Sequence, residues 1–165
     1  MSVNFAPDEL INVAIDIERR GISFYDVMAI STDDESARAV FQGLVDMERE
    51  HIEIFQDMLG EFDKHPSSEP ISQEYADYLK SLIDTAVFTD DMITGEMATQ
   101  ADTDIKALEL GISAEKDSIL FYCEMRDIMP QRVLPALNRI INEEKTHLQQ
   151  LTVTKKRLEE GNSEG

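Results

Sequence analysis

Two Glu-x-x-His units, Glu48-Arg49-Glu50-His51 and Glu144-Lys145-Thr146-His147, stand 96 residues apart, each inside an apolar pattern of helical period. Single glutamates, Glu18 and Glu115, precede them by 30 and 29 residues on apolar stripes of their own. Residues three apart share a helix face, so each pair presents a carboxylate and an imidazole side by side. Four glutamates and two histidines at matched spacing on four candidate helices form the ligand set of a carboxylate-bridged dinuclear metal site in a four-helix bundle.

The stripes make the argument energetic. Ile11, Ala14, Ile15, Ile22 and Tyr25 flank Glu18; Phe41, Leu44, Ile52 and Phe55 flank Glu48 and His51. Leu108, Ile112, Ile119 and Tyr122 flank Glu115; Leu137, Ile140, Ile141, Leu148 and Leu151 flank Glu144 and His147. Each carboxylate therefore sits mid-stripe, where the helix must face the core. A buried, unpaired carboxylate loses several kcal/mol of solvation, and four together repel. Neither lysine nor arginine lies on these stripes near the glutamates. Two divalent cations would neutralise the four. Mixed carboxylate and imidazole donors suit iron or manganese better than a structural zinc site.

Local signals place the elements. Pro7 and Asp8-Glu9 open a first helix over about 8–30. The Ser31-Thr32-Asp33-Asp34 cluster turns the chain into a second, over about 35–59, with Gly60 as its expected C-cap. A loop around His65-Pro66, an accessory helix from Ser72 to Phe88 and a short helical turn near 92–97 fill a long crossover over 61–103. A third bundle helix runs from about Asp104 to Ile128, stopped by Pro130, and a fourth from about Leu134 to Glu160. Residues 1–160 then make one bundle, and 161–165 are expected to be a disordered tail. The hairpin repeats: Glu18-Arg19-Arg20-Gly21-Ile22-Ser23-Phe24-Tyr25 parallels Glu115-Lys116-Asp117-Ser118-Ile119-Leu120-Phe121-Tyr122. The halves should be related by a pseudo-twofold axis through the site.

Composition removes several classes. A net charge of −19, from 34 acidic and 15 basic residues, argues against nucleic acid and anionic membrane as partners. Cys123 is the single cysteine, so neither an internal disulfide nor a four-cysteine iron site can form. The start lacks the pattern of a signal peptide, and no run of 18 apolar residues exists, so a cytoplasmic location is expected. Glu50 and Glu143 read as surface charges, His65 as a solvated loop residue, Cys123 as a packing residue, and the methionines as core residues rather than haem ligands.

In these motifs the chain resembles the ferritin-like superfamily, and within it the rubrerythrin-type diiron proteins, over roughly residues 8–158. The resemblance implies an all-α, ferritin-like four-helix bundle of two helical hairpins joined by a long crossover with an accessory helix. It implies two iron ions, with manganese or mixed occupancy as alternatives. Glu18, Glu48, His51, Glu115, Glu144 and His147 would be the ligands, Glu48 and Glu144 bridging and Glu18 and Glu115 terminal. Tyr25 and Tyr122, two turns beyond the terminal glutamates, would hydrogen-bond to ligand carboxylates in a catalytic supporting role; read from the residues alone they are equally core aromatics with satisfied hydroxyls. Two departures stand out. The second glutamate that such proteins carry on the third helix is Ser118 here, and no Cys-x-x-Cys pair supplies a rubredoxin domain. The expected activity is that of an oxidoreductase reacting with H2O2 or O2, fed by an external electron-donor protein. The alternatives are a ferroxidase that oxidises, stores or delivers Fe²⁺, and a metal-stabilised helical interaction module without catalysis. A homo-oligomer, dimer or higher, is expected.

Overall fold

The computed structural model describes residues 6–65, 71–86, 88 and 103–163. Among these, the regular elements are α1 (Pro7–Ser31), α2 (Glu35–Lys64), α3 (Gln73–Asp84), α4 (Asp104–Ile128) and α5 (Leu134–Ser163), with a 3-10 turn at Gln131–Val133 before α5. The architecture is an all-α four-helix bundle. α1 pairs with α2 and α4 with α5; α1 against α4 and α2 against α5 close it.

The starts follow from caps. Asp34 Oδ1 accepts the Ala37 amide at 2.8 Å, Ser72 Oγ the Tyr75 amide at 3.3 Å, and Thr103 Oγ1 the Lys106 amide at 3.2 Å. Each satisfies one of the amides that a helix start leaves without a partner. Arg157 on α5 ties back to Asp34 at 2.7 Å, fixing the α1–α2 turn against the last helix.

Three boundaries differ from expectation. Gly60 does not cap α2, which continues to Lys64; no described glycine has a positive φ. Phe62 is buried, and its burial outweighs the roughly 1 kcal/mol that a helical glycine costs. α3 stops at Asp84 rather than reaching Phe88, which leaves the helix to pack its ring 4.4 Å from that of Phe24. α5 runs through Gly161 to Ser163, against a tail expected from 161; residues 164–165 lie outside the described ones. So does the helical turn expected near 92–97.

The core is cut in two. One apolar cluster holds Leu10, Ile11, Phe55, Tyr122, Met125 and Leu137. The other holds Phe24, Tyr25, Phe41, Leu44, Leu108 and Leu151. Burying each such large side chain contributes roughly 1.5–3 kcal/mol. Between the clusters lies a polar layer, which these two apolar ends support. No helix among the described residues is long and apolar enough to cross a membrane.

Candidate metal centre

That polar layer contains all six side chains singled out by spacing. Glu18 comes from α1, Glu48 and His51 from α2, Glu115 from α4, and Glu144 and His147 from α5. None is more than 3% exposed. Their ligating atoms fall into two groups, Glu18/Glu48/His51/Glu144 and Glu48/Glu115/Glu144/His147, within each of which the atoms lie no more than 4.8 Å apart. Glu48 and Glu144 belong to both groups, and the His51 and His147 rings stack with centroids 5.6 Å apart.

The two histidines differ. His51 Nδ1 faces the carboxylates, 2.8 Å from Glu144 Oε1, 3.1 Å from Glu48 Oε2 and 3.5 Å from Glu18 Oε2. His147 Nδ1 stands farther off, 3.6 Å from Glu48 Oε1 and 3.8 Å from Glu144 Oε1. Among the described residues, Glu115 Oε2 and both ring nitrogens of His147 are buried without a hydrogen-bond partner, and Glu144 Oε1 has only His51 Nδ1 beside it. Buried polar atoms are rarely left so. Unpartnered polar atoms of a glutamate and a histidine, aimed into one layer of carboxylates, are what a cation-binding site presents.

Charge strain is written into the same atoms. Burial, then the charges of Glu18 and Glu115, push Glu48 well above the usual carboxylate range. Burial and the Glu144 charge push Glu115 the same way, and burial with Glu48 and Glu18 raises Glu144 to about 8. Burial acts on Glu18 too, but hydrogen bonds from Glu48, His51 and Tyr122 overcome it and hold Glu18 low. Burial alone would lower His51; its contacts with Glu144, Glu18 and Glu48 reverse this and hold the imidazole far above its ordinary value. His147, buried and beside a charged His51, falls to about 4. Without metal, then, protons shared among the carboxylates and an imidazolium stand where cations would.

The tyrosines cross the bundle. Tyr25 on α1 donates to Glu115 Oε1 at 2.5 Å, and Tyr122 on α4 donates to Glu18 Oε1. Gly111 admits the first ring: a Cβ there would lie 3.3 Å from Tyr25 Cε1.

Between α1 and α4 a cavity of about 40 Å³ opens onto Glu18, Glu48 and Glu115. Its walls include Gly21 and Ser118, which hold equivalent places in the sequence repeat. Leu82 and Ile83 of α3 and Phe88 beyond it cover the opening. α3 is fastened there by Tyr75, whose phenol bonds to the Glu124 carbonyl at 3.0 Å and to Glu124 Oε2 at 2.6 Å. The accessory segment, which the sequence marks as a cover for the bundle or an interface, thus covers the site.

One residue was misread from sequence. Glu143 is not a free surface charge: its side chain is 23% exposed, and Oε2 lies 2.8 Å from His51 Nε2. It is one step round α5 from Glu144, on the flank that meets α2. The signal was there in the repeat, since its counterpart 96 residues earlier is the apolar Met47. Glu50 is exposed, His65 is exposed, and Cys123 is half-buried against the core, as expected.

The chain matches the family model described as Rubrerythrin over residues 9–155. It is similar in structure to a Thermotoga maritima protein described as ferritin-like diiron-carboxylate, with 27% identity, 93% of this chain and 96% of that one covered, and a TM-score of 0.68. A DUF305 fragment from Deinococcus radiodurans gives the same TM-score over 92% of this chain and 95% of that one; at 15% identity this likeness concerns the fold alone. No curated protein matches significantly.

Proposed function

This chain belongs to the rubrerythrin family, and on that premise we propose that it is a non-haem diiron oxidoreductase acting on H2O2 or O2. Glu18, Glu48, His51 and Glu144 would hold one ion, and Glu48, Glu115, Glu144 and His147 the other, with Glu48 and Glu144 as bridges. The donor set fits: four carboxylates balance two divalent cations, and the unpartnered atoms of Glu115 and His147 gain partners. The likeness to the Thermotoga maritima protein supports iron as the metal. A bound iron pair supplies two electrons for cleavage of an O–O bond.

The chain's own residues do the rest. Tyr25 and Tyr122 hold the terminal carboxylates in place by hydrogen bonds to one oxygen each. The apolar clusters on both sides keep the layer dry, which strengthens every electrostatic contact inside it. The observation that carries the reading is the cavity. At about 40 Å³ it has room for a few water-sized molecules, each needing roughly 10–15 Å³. It therefore has room for a small oxidant beside the carboxylates. Electrons would arrive from an external donor protein.

A second reading takes Fe²⁺ itself as substrate and electron source. Two observations favour it: Ser118 stands where a further carboxylate would hold the iron, and the net charge of −19 draws cations. Anaerobic Fe²⁺ titration, then stopped-flow mixing with H2O2 and separately with O2, distinguishes the two. Two irons per chain with faster reaction towards peroxide support the first. Preference for O2 with continued turnover of excess Fe²⁺ supports the second. Iron uptake without either reaction leaves a metal-stabilised module, and absence of stoichiometric uptake refutes a dinuclear centre.

A further inference from the structure

The 96-residue register that pairs Glu48 with Glu144 and His51 with His147 also pairs Met47 with Glu143 and Gly43 with Arg139. Here the symmetry fails. Glu143 Oε2 lies 2.8 Å from His51 Nε2, and Glu143 Oε1 accepts from Arg139 Nε at 2.9 Å. Three side chains thus run in series, Arg139 to Glu143 to His51, from the rim of the bundle to the buried ring. Across the pseudo-twofold axis the corresponding residues are glycine, methionine and His147, and neither ring nitrogen of His147 has a hydrogen-bond partner among the described residues.

From this, and resting on the dinuclear reading above, we propose that Glu143 is a positioning residue for His51 and makes the two metal positions unequal, the His51 position being the tighter. A ligating histidine donates its other ring N–H to an acceptor, which fixes the tautomer and aims the free lone pair. Glu143 does this for His51: Nε2–H points out to the carboxylate and Nδ1 points in, towards Glu18, Glu48 and Glu144. Arg139 holds the Glu143 carboxylate in one orientation. The residue in register for His147 is Met47, whose thioether is a weak acceptor. His147 must therefore set its ring on binding metal, and loses affinity in doing so. Loss of such an outer partner lowers metal affinity about 10–100-fold.

Each position can be read alone. His147→Ala leaves the His51 position complete, and His51→Ala leaves the His147 position complete. Co²⁺ titration of the metal-free chains, followed by visible absorption and by calorimetry, should give about 10–100-fold tighter binding in His147→Ala than in His51→Ala. Adding Glu143→Ala should erase that advantage in the His147→Ala background and leave the His51→Ala background unchanged. Glu143→Gln, which keeps an acceptor oxygen, should restore most of it. In the otherwise native chain, Met47→Glu should bring the two steps of Co²⁺ binding closer together. Equal affinities in the two single variants, or a Glu143→Ala loss shared by both backgrounds, would overturn the inference while leaving a dinuclear centre standing. Failure of the native chain to take up two Co²⁺ overturns the dinuclear reading, and this inference with it.

Discussion

Tyr25 reaches from α1 across the bundle to donate a 2.5 Å hydrogen bond to Glu115 on α4, and Tyr122 returns the same bond from α4 to Glu18 on α1. Each hairpin thus supplies the donor for the other hairpin's terminal carboxylate. The two halves of the repeat are locked together at the level of the site by partners 90 and 104 residues apart in sequence. The exchange also explains why both tyrosines sit two turns beyond a glutamate: that spacing returns the ring to the glutamate's own core-facing side, from which its hydroxyl reaches the opposite hairpin.

Tyr25→Phe tests this lock. The ring stays, and the carboxyl of Glu115 loses its one phenol donor in a fully buried layer. Leaving a buried acceptor unsatisfied costs about 1–3 kcal/mol. Chemical denaturation of the metal-free protein should show that loss, while the capacity for two metals is kept. A variant as stable as its parent would mean that the bond contributes nothing in solution.

Removing a bridge should separate metal binding from stability. Glu48→Ala takes a ligand from both positions at once, so metal capacity should fall below two per chain by direct analysis. Glu144→Leu should do the same; in the metal-free chain it relieves a strained buried carboxylate but also takes the 2.8 Å partner from His51, so the two effects oppose and stability should change far less than metal capacity. Retention of two metals by either variant would show that the bridging assignment is wrong.

The cavity makes a separate prediction. Ser118→Val puts two methyl groups into a space of about 40 Å³ without touching the six proposed ligands. Metal capacity should remain two, and the stopped-flow reaction with peroxide should slow. Unchanged kinetics would mean that the oxidant enters elsewhere.

How much of this was legible beforehand depended on the physics of each signal. The four stripes were readable because a carboxylate in mid-stripe conflicts with burial, and the conflict recurs four times in register. The stop of α4 at Ile128 was readable because Pro130 cannot continue a helix. Gly60 misled because a local preference of about 1 kcal/mol was set against the burial of Phe62, which only the tertiary fold reveals. Glu143 misled because it is one residue off the stripe, and the flank it occupies is inward only where α5 meets α2. What α3 and Phe88 cover was hidden for a similar reason: the amphipathic pattern of 72–88 marks a cover for the bundle or an interface, but does not say what lies beneath it.

Acidity should act in opposite directions on the metal-free and metal-loaded protein, and the shifts say which way. Glu144 is raised to about 8 in the folded chain from an ordinary 4.5, and Glu48 and Glu115 are raised with it. His51 is raised above its ordinary 6.5. Between pH 6.5 and 8 the folded state therefore binds more protons than the unfolded one, so stability falls as pH rises. The groups shifted the other way do not cancel this. Glu18 and Glu143, held low, bind no proton in either state above pH 6.5, and His147, lowered to about 4 from an ordinary 6.5, opposes the trend only at the low end of the window, where the unfolded imidazole is still partly protonated. Metal binding displaces the same protons, so affinity should rise with pH over that window. Melting temperatures measured after chelation should decline from pH 6.5 to 8, and those measured at fixed excess Fe²⁺ under anaerobic conditions should climb relative to them. Parallel curves would mean that metal does not take the place of the protons in the layer formed by Glu18, Glu48, Glu115 and Glu144.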